Sequence, residues 1–114
     1  MYKIIIFGTG LYGKQALQFF TRENVMFWTD NKEDLHGKLI EGIEVIPPSE
    51  LKKYLNECVI VIAAKPEFFN QIKYQLNKEY GIEMALNYTF LKSYINDSGI
   101  SVGEFLSGCM EKDI

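Results

Sequence analysis

The stretch Tyr2-Lys3-Ile4-Ile5-Ile6-Phe7-Gly8-Thr9-Gly10-Leu11-Tyr12-Gly13-Lys14 decides how this chain folds. It joins an apolar run, a Gly-x-Gly-x-x-Gly turn and the start of an amphipathic helix. The run Ile4 to Phe7 has the length and β-branched content of a parallel strand covered on both faces. After the turn, Gly13, Ala16, Leu17 and Phe20 recur at i, i+3, i+4 and i+7. That spacing is one helical face, and Lys14, Gln15 and Gln18 fall largely outside it.

Each glycine has a task in a strand–turn–helix of this kind. Gly8 permits the tight turn, Gly10 lets backbone approach a pyrophosphate, and Gly13 lets the helix sit close to the sheet. Free N–H groups and the helix dipole then favour an anion at the turn. The loop residues Thr9, Leu11 and Tyr12 complete the candidate phosphate site. A Gly-x-Gly-x-x-Gly alone is weak evidence, but here a strand precedes it, a helix follows, and a carboxylate stands about 20 residues further on. That carboxylate is Asp30, at the end of the apolar run Val25-Met26-Phe27-Trp28-Thr29. There it is placed to accept hydrogen bonds from ribose hydroxyls. The plainer alternative is that Asp30 and Asn31 only open a turn.

With 114 residues the chain is large enough for one core and too small for two. The formal net charge of -3, with no basic block, argues against nucleic acid as a partner. No segment reaches the roughly 18 apolar residues of a membrane span, and the N-terminus lacks a secretory pattern, so a cytoplasmic protein is expected. Cys58 and Cys109 are far apart and His36 is the single histidine, which makes a metal site improbable. Cys58 opens an apolar run and reads as a buried small hydrophobe.

Further along, Ile40 to Ile46 suggests a short irregular strand around Gly42, ended by Pro47-Pro48. Ser49 to about Asn56 suggests a helix carrying Leu51, Tyr54 and Leu55. Cys58 to Ala64 has no alternation and should be a central strand beside the glycine-loop strand. Lys65 follows at its carboxyl end, where open α/β sheets place ligands. It is a candidate phosphate ligand, or equally a solvated lysine. Phe69, Ile72 and Leu76 mark the next helix, which Gly81 closes. Ile82 to Leu86 reads as a last strand, and Asn87 to Ile95 as a helix.

The expected architecture is a three-layer α/β Rossmann-like fold with a mostly parallel sheet of about four to five strands. Residues 1–96 form the nucleotide-binding domain. Residues 97–114 form a linker and a C-terminal helix around Val102 to Met110, which packs on the domain, docks a partner, or begins a further domain. His36 lies in a polar loop with nothing in the sequence to hold it, so an exposed loop histidine is expected rather than an acid–base catalyst. Trp28 reads as core before it reads as a base-stacking residue, while Tyr12 is the aromatic placed to meet a ligand.

From Lys3 to about Lys92 the sequence resembles the small nucleotide-binding Rossmann domains of bacterial surface-sugar biosynthesis, above all the N-terminal domain of hexapeptide-repeat sugar N-acyltransferases. Similar domains are attached to sugar methyltransferases and glycosyltransferases. The resemblance rests on Ile6 to Gly13, Thr29-Asp30-Asn31, Gly42 to Ile46, and Val59 to Ala63. It implies that Gly8, Gly10 and Gly13 hold the phosphates of a UDP-linked sugar, with Asp30 near uridine or ribose and Asn31 and Lys65 in weaker roles. The chain departs from that family at Leu11, where a further glycine is common. It also lacks the hexapeptide β-helix with the catalytic histidine and acetyl-CoA site, and His36 cannot take that place.

The resulting expectation is a UDP-sugar-binding module, a domain fragment without catalysis of its own, serving a catalytic domain in cis or trans in surface polysaccharide or lipopolysaccharide biosynthesis. A homo-oligomer is allowed. The alternative is an NAD(H)-binding redox or sensor domain, although a full dinucleotide crevice needs two mononucleotide halves and this length supplies about one and a half. A structural domain with a vacated pocket is the other class, and CoA is a further candidate ligand.

Overall fold

The apolar runs found in the sequence become the strands of one sheet, ordered β3-β4-β2-β1-β5-β6. The computed structural model describes residues 1–112, with side chains described to residue 108. The strands are β1 (Lys3–Phe7), β2 (Val25–Thr29), β3 (Leu39–Ile40), β4 (Ile43–Ile46), β5 (Cys58–Ile62) and β6 (Leu86–Asn87). The helices are α1 (Leu11–Phe20), α2 (Pro66–Tyr80), α3 (Tyr88–Ser98) and α4 (Val102–Lys112). All pairings are parallel except β3–β4. This is a Rossmann-like α/β fold, with six strands in place of the expected four to five.

β1 lies at the centre because, beyond Lys3 at its start, nothing in it tolerates water. Ile4 and Ile6 enter one core with Ala16, Leu17, Phe20 and Trp28. Ile5 and Phe7 enter the other with Ile60, Ile62 and Leu76. A strand that alternates between two dry layers must be apolar throughout, which explains its unbroken run. Each fully buried isoleucine contributes about 1.5–3 kcal/mol.

Several segments differ from the sequence reading, each for a local reason. Ile40 to Ile46 is not one strand but a hairpin, turned at Glu41 (φ 54°) and Gly42 (φ 78°). The antiparallel β3 supplies the added strand and caps the sheet edge. The segment after Pro47 is a 3₁₀ helix, Pro48–Tyr54, anchored by the fully buried Leu51. Ile82 to Ala85 is not strand. Ile82 and Ala85 are buried while Glu83 and Met84 are exposed, a three-residue spacing that a pleated strand cannot satisfy.

α4 turns Leu106 fully into the first core, and Val102 and Phe105 pack against it. Those side chains therefore face inward and do not form a free docking stripe. Met110 and Cys109, the other expected members of the tail, lie outside the described side chains. Among the described residues, no helix is long and apolar enough to cross a membrane.

Candidate functional site

The turns after β1, β2 and β5 meet at the carboxyl edge of the sheet. Strand order reverses direction between β1 and β5, so adjoining connections leave to opposite faces and open a crevice. The ends of β1 are fastened on both sides. The Gly8 amide donates to the Thr29 carbonyl and the Ala63 amide to the Phe7 carbonyl, each at 2.9 Å.

The three glycines of the turn answer to different constraints. Gly8 has φ +118°, and a Cβ there would stand 2.5 Å from the Ala63 carbonyl oxygen. A Cβ on Gly13 would overlap the Gly8 carbonyl oxygen and press on Trp28. Both positions are therefore fixed by the protein's own packing. Gly10 is different. Its φ is -82° and a Cβ there would meet nothing within 4 Å. Among the described residues, nothing requires glycine at position 10.

Gly10 is also the N-cap of α1, where no side chain caps the helix and the first turn carries no acid. Such a helix start attracts an anion through its N–H groups and dipole. Leu11 is highly exposed at the same helix start. Tyr12 is half-buried and packs against the first core.

Asp30 is brought to the glycine turn. Its Oδ2 accepts from the Thr9 amide at 3.0 Å and from the Thr9 hydroxyl at 2.9 Å. Its Oδ1 accepts from the Lys32 amide at 3.1 Å. An ionised carboxylate offers about four lone-pair sites, so room for a further donor remains.

Asn31 is held elsewhere. Its carboxamide and that of Gln75 on α2 exchange two hydrogen bonds, of 2.9 and 2.7 Å. His36, expected as a free loop residue, is pinned. Its Nε2 lies 2.7 Å from the Asp30 carbonyl oxygen, which only accepts, so Nε2 carries the proton. Lys65 precedes α2 and its side chain is exposed at the crevice rim. Trp28 is fully buried, with its indole N–H donating to the Ile40 carbonyl at 2.9 Å, so it is core.

Beside Asp30 lies a cavity of about 480 Å³ whose lining includes Asn31, His36, Pro47, Gln75 and Tyr80. A more apolar cavity of about 460 Å³, lined by Tyr2, Cys58 and Phe105 among others, lies at the amino ends of β1 and β5. It is at the wrong end of the strands to serve the glycine turn. Sequence reasoning missed Gln75 and the role of His36. Neither carries a local signal, since Gln75 meets Asn31 across 44 residues. Among the described residues, no group of histidine, cysteine and carboxylate side chains could hold a metal ion.

No curated protein sequence matches the chain. Among solved structures, RSP, a Rex-family repressor, superposes with a TM-score of 0.55 at 17% identity, covering 85% of this chain and 57% of that one. RSP in complex with beta-NAD+ and operator DNA gives a TM-score of 0.55 at 20% identity, covering 75% of this chain and 42% of that one. The chain thus spans about half the length of these neighbours, and at such identities the likeness is one of fold.

Two expectations are corrected by these findings. The kinship with sugar N-acyltransferase domains does not hold, because the family that matches is another and the neighbours are repressors. The glycine turn, the Asp30 turn and the apolar strands that suggested it are demands of the Rossmann half itself and carry no sugar chemistry. With it go the nucleotide-sugar and the catalytic domain as partners. The exclusion of nucleic acid is overturned as well, since one neighbour was solved with operator DNA. Net charge gauges only the residues counted, and that neighbour extends well past the matched portion. The family model that does match spans residues 1–86, and the chain accordingly belongs to the C2185-like, N-terminal family.

Proposed function

We propose that this chain is an NAD(H)-binding domain of sensor type, which holds the dinucleotide's diphosphate at the Gly8–Gly13 turn and a ribose at Asp30. The observation that carries this reading is Gly10. Gly8 and Gly13 are explained by internal contacts, while Gly10 faces open space at an uncapped helix start. A missing side chain that the fold does not need is accounted for by a ligand that comes close to the backbone there.

Asp30 supports a ribose beside that diphosphate, because its carboxylate keeps about one lone pair free next to the turn. NAD+ in a structural neighbour supports the choice of dinucleotide over UDP-sugar or CoA. The operator DNA in the same neighbour supports a regulatory setting, in which bound dinucleotide alters DNA affinity of the protein that this domain serves.

Thermal unfolding with and without ligand tests the reading. At about 100 times its dissociation constant, NAD+ or NADH is expected to stabilise the chain by about 2.7 kcal/mol. UDP and UDP-sugars should do less at equal concentration. Stabilisation by UDP-sugars alone would refute the assignment.

A further inference from the structure

The Asn31–Gln75 pair is an unusual way to tie two elements together. Two exposed or half-exposed carboxamides, one after β2 and one on α2, satisfy each other's donor and acceptor. Both line the 480 Å³ cavity beside Asp30, whose size lies within the range of about 300–1,000 Å³ usual for small-molecule sites. A carboxamide presents an N–H donor beside a carbonyl acceptor, the pattern that matches an adenine edge. Pro47 and Tyr80 line the same cavity and offer apolar surface to the faces of a ring.

We infer that Asn31 and Gln75 together read an adenine base in this cavity. The inference rests on the dinucleotide reading above and names the base that the crevice selects. Adenine carries its N6 amino group between two acceptors, N1 and N7. It therefore offers two donor–acceptor edges, one for each carboxamide. The two bonds that the amides now exchange are replaced by as many as four to the base. Uracil has a single ring N–H between two carbonyls, so it completes such an edge with one carboxamide only. Its remaining carbonyl can accept one bond from the second carboxamide, so exchange with uracil trades two bonds for at most three, against four for adenine, and leaves that second amide's own carbonyl unpaired. The amide pair thus ties the two walls of the cavity together and favours adenine over uracil.

Calorimetric titration of the whole chain with ADP, UDP and inorganic pyrophosphate tests this. The unaltered chain should prefer ADP over UDP by about tenfold or more, the value of one good bidentate contact. The double variant Asn31→Ala/Gln75→Ala should lose that preference and keep its pyrophosphate affinity within about twofold. Gln75→Glu, of the same shape but without the donor, should also lose the preference, and covers the case in which the double variant folds poorly. Variants that keep the preference, or that lose pyrophosphate as much as ADP, overturn the inference. An unaltered chain that binds NAD+ yet treats ADP and UDP alike overturns it while the dinucleotide reading stands. Failure to bind NAD+, NADH or ADP overturns both.

Discussion

Asp30 closes the glycine turn on itself: one carboxylate oxygen accepts from both the amide and the hydroxyl of Thr9, at 3.0 and 2.9 Å. The side chain expected to meet a ribose is therefore also a clamp on the glycine turn. Charge-assisted bonds of this kind hold loop geometry before any ligand arrives. Asp30→Ala should lower stability by about 1–3 kcal/mol, through the unpaired Thr9 donors. Asp30→Asn, which keeps an acceptor oxygen, should lose less. Urea unfolding midpoints check both, and an unchanged midpoint for the alanine variant would show that the clamp is idle.

The glycines separate fold from function. Gly13→Ala places a methyl on the Gly8 carbonyl, and Gly8→Ala forces a side chain into a φ of +118° against Ala63. Each should destabilise the chain by about 1–3 kcal/mol or more. Gly10→Ala has open space and a negative φ, so its cost should stay within about 1 kcal/mol. Equal losses at all three positions, measured by thermal unfolding, would contradict this sorting.

Much of that arrangement was legible before any coordinates. β5, and β1 after Lys3, announce themselves because strands buried on both faces must be apolar without interruption, and β2 carries a similar run although Met26 and Phe27 are only half-buried. α1 is readable from the spacing of Gly13, Ala16, Leu17 and Phe20, all of which are buried. The Asp30 carboxylate was found by its distance from the glycine turn. Its bond to Thr9 was not, because that contact depends on how two turns 21 residues apart are juxtaposed. The Asn31–Gln75 pair and the bond from His36 to the Asp30 carbonyl share this property. The hairpin at Glu41-Gly42 was obscured by its brevity, since two-residue β3 offers no period to detect. The preference for a UDP-sugar over the NAD(H) alternative finds no support, for a different reason: the glycine turn and the acidic residue after β2 are features that many nucleotide-binding Rossmann folds share.

Two buried hydroxyls point to gains in stability. Among the described residues, Thr29 Oγ1 and Tyr88 Oη are buried without a hydrogen-bond partner. Tyr88 packs edge-on to Phe19 and Phe20, an environment that rewards the ring and not the hydroxyl. Tyr88→Phe and Thr29→Val remove a desolvated polar group and keep the shape. Each should be neutral or stabilising by up to about 1 kcal/mol. A loss above that in chemical denaturation would reveal a hidden partner.

Cys58 should be silent in the folded protein. It is buried at the start of β5, and its thiol donates to the Met26 sulfur at 3.6 Å. Burial, and secondarily the charge of Glu57, push its pKa from 9.0 up to about 12. Thiol reagents at pH 8 should therefore leave it untouched until the chain unfolds. The unfolded thiol ionises near pH 9 while the folded one keeps its proton, so the unfolded state binds fewer protons above that pH. The associated stability is intact below pH 9 and is lost as pH rises towards 12. Rapid labelling at Cys58 itself in the native chain at pH 8, located by peptide mass because the chain also carries Cys109, would contradict the buried placement.

The most direct test of the whole account is calorimetric titration of NAD+ and NADH into the unaltered chain and into Gly10→Val. The unaltered chain should bind, and the variant should unfold within about 1 kcal/mol of it yet show no dinucleotide binding. Undiminished binding by Gly10→Val would contradict the claim that a diphosphate lies against the bare backbone at Gly10.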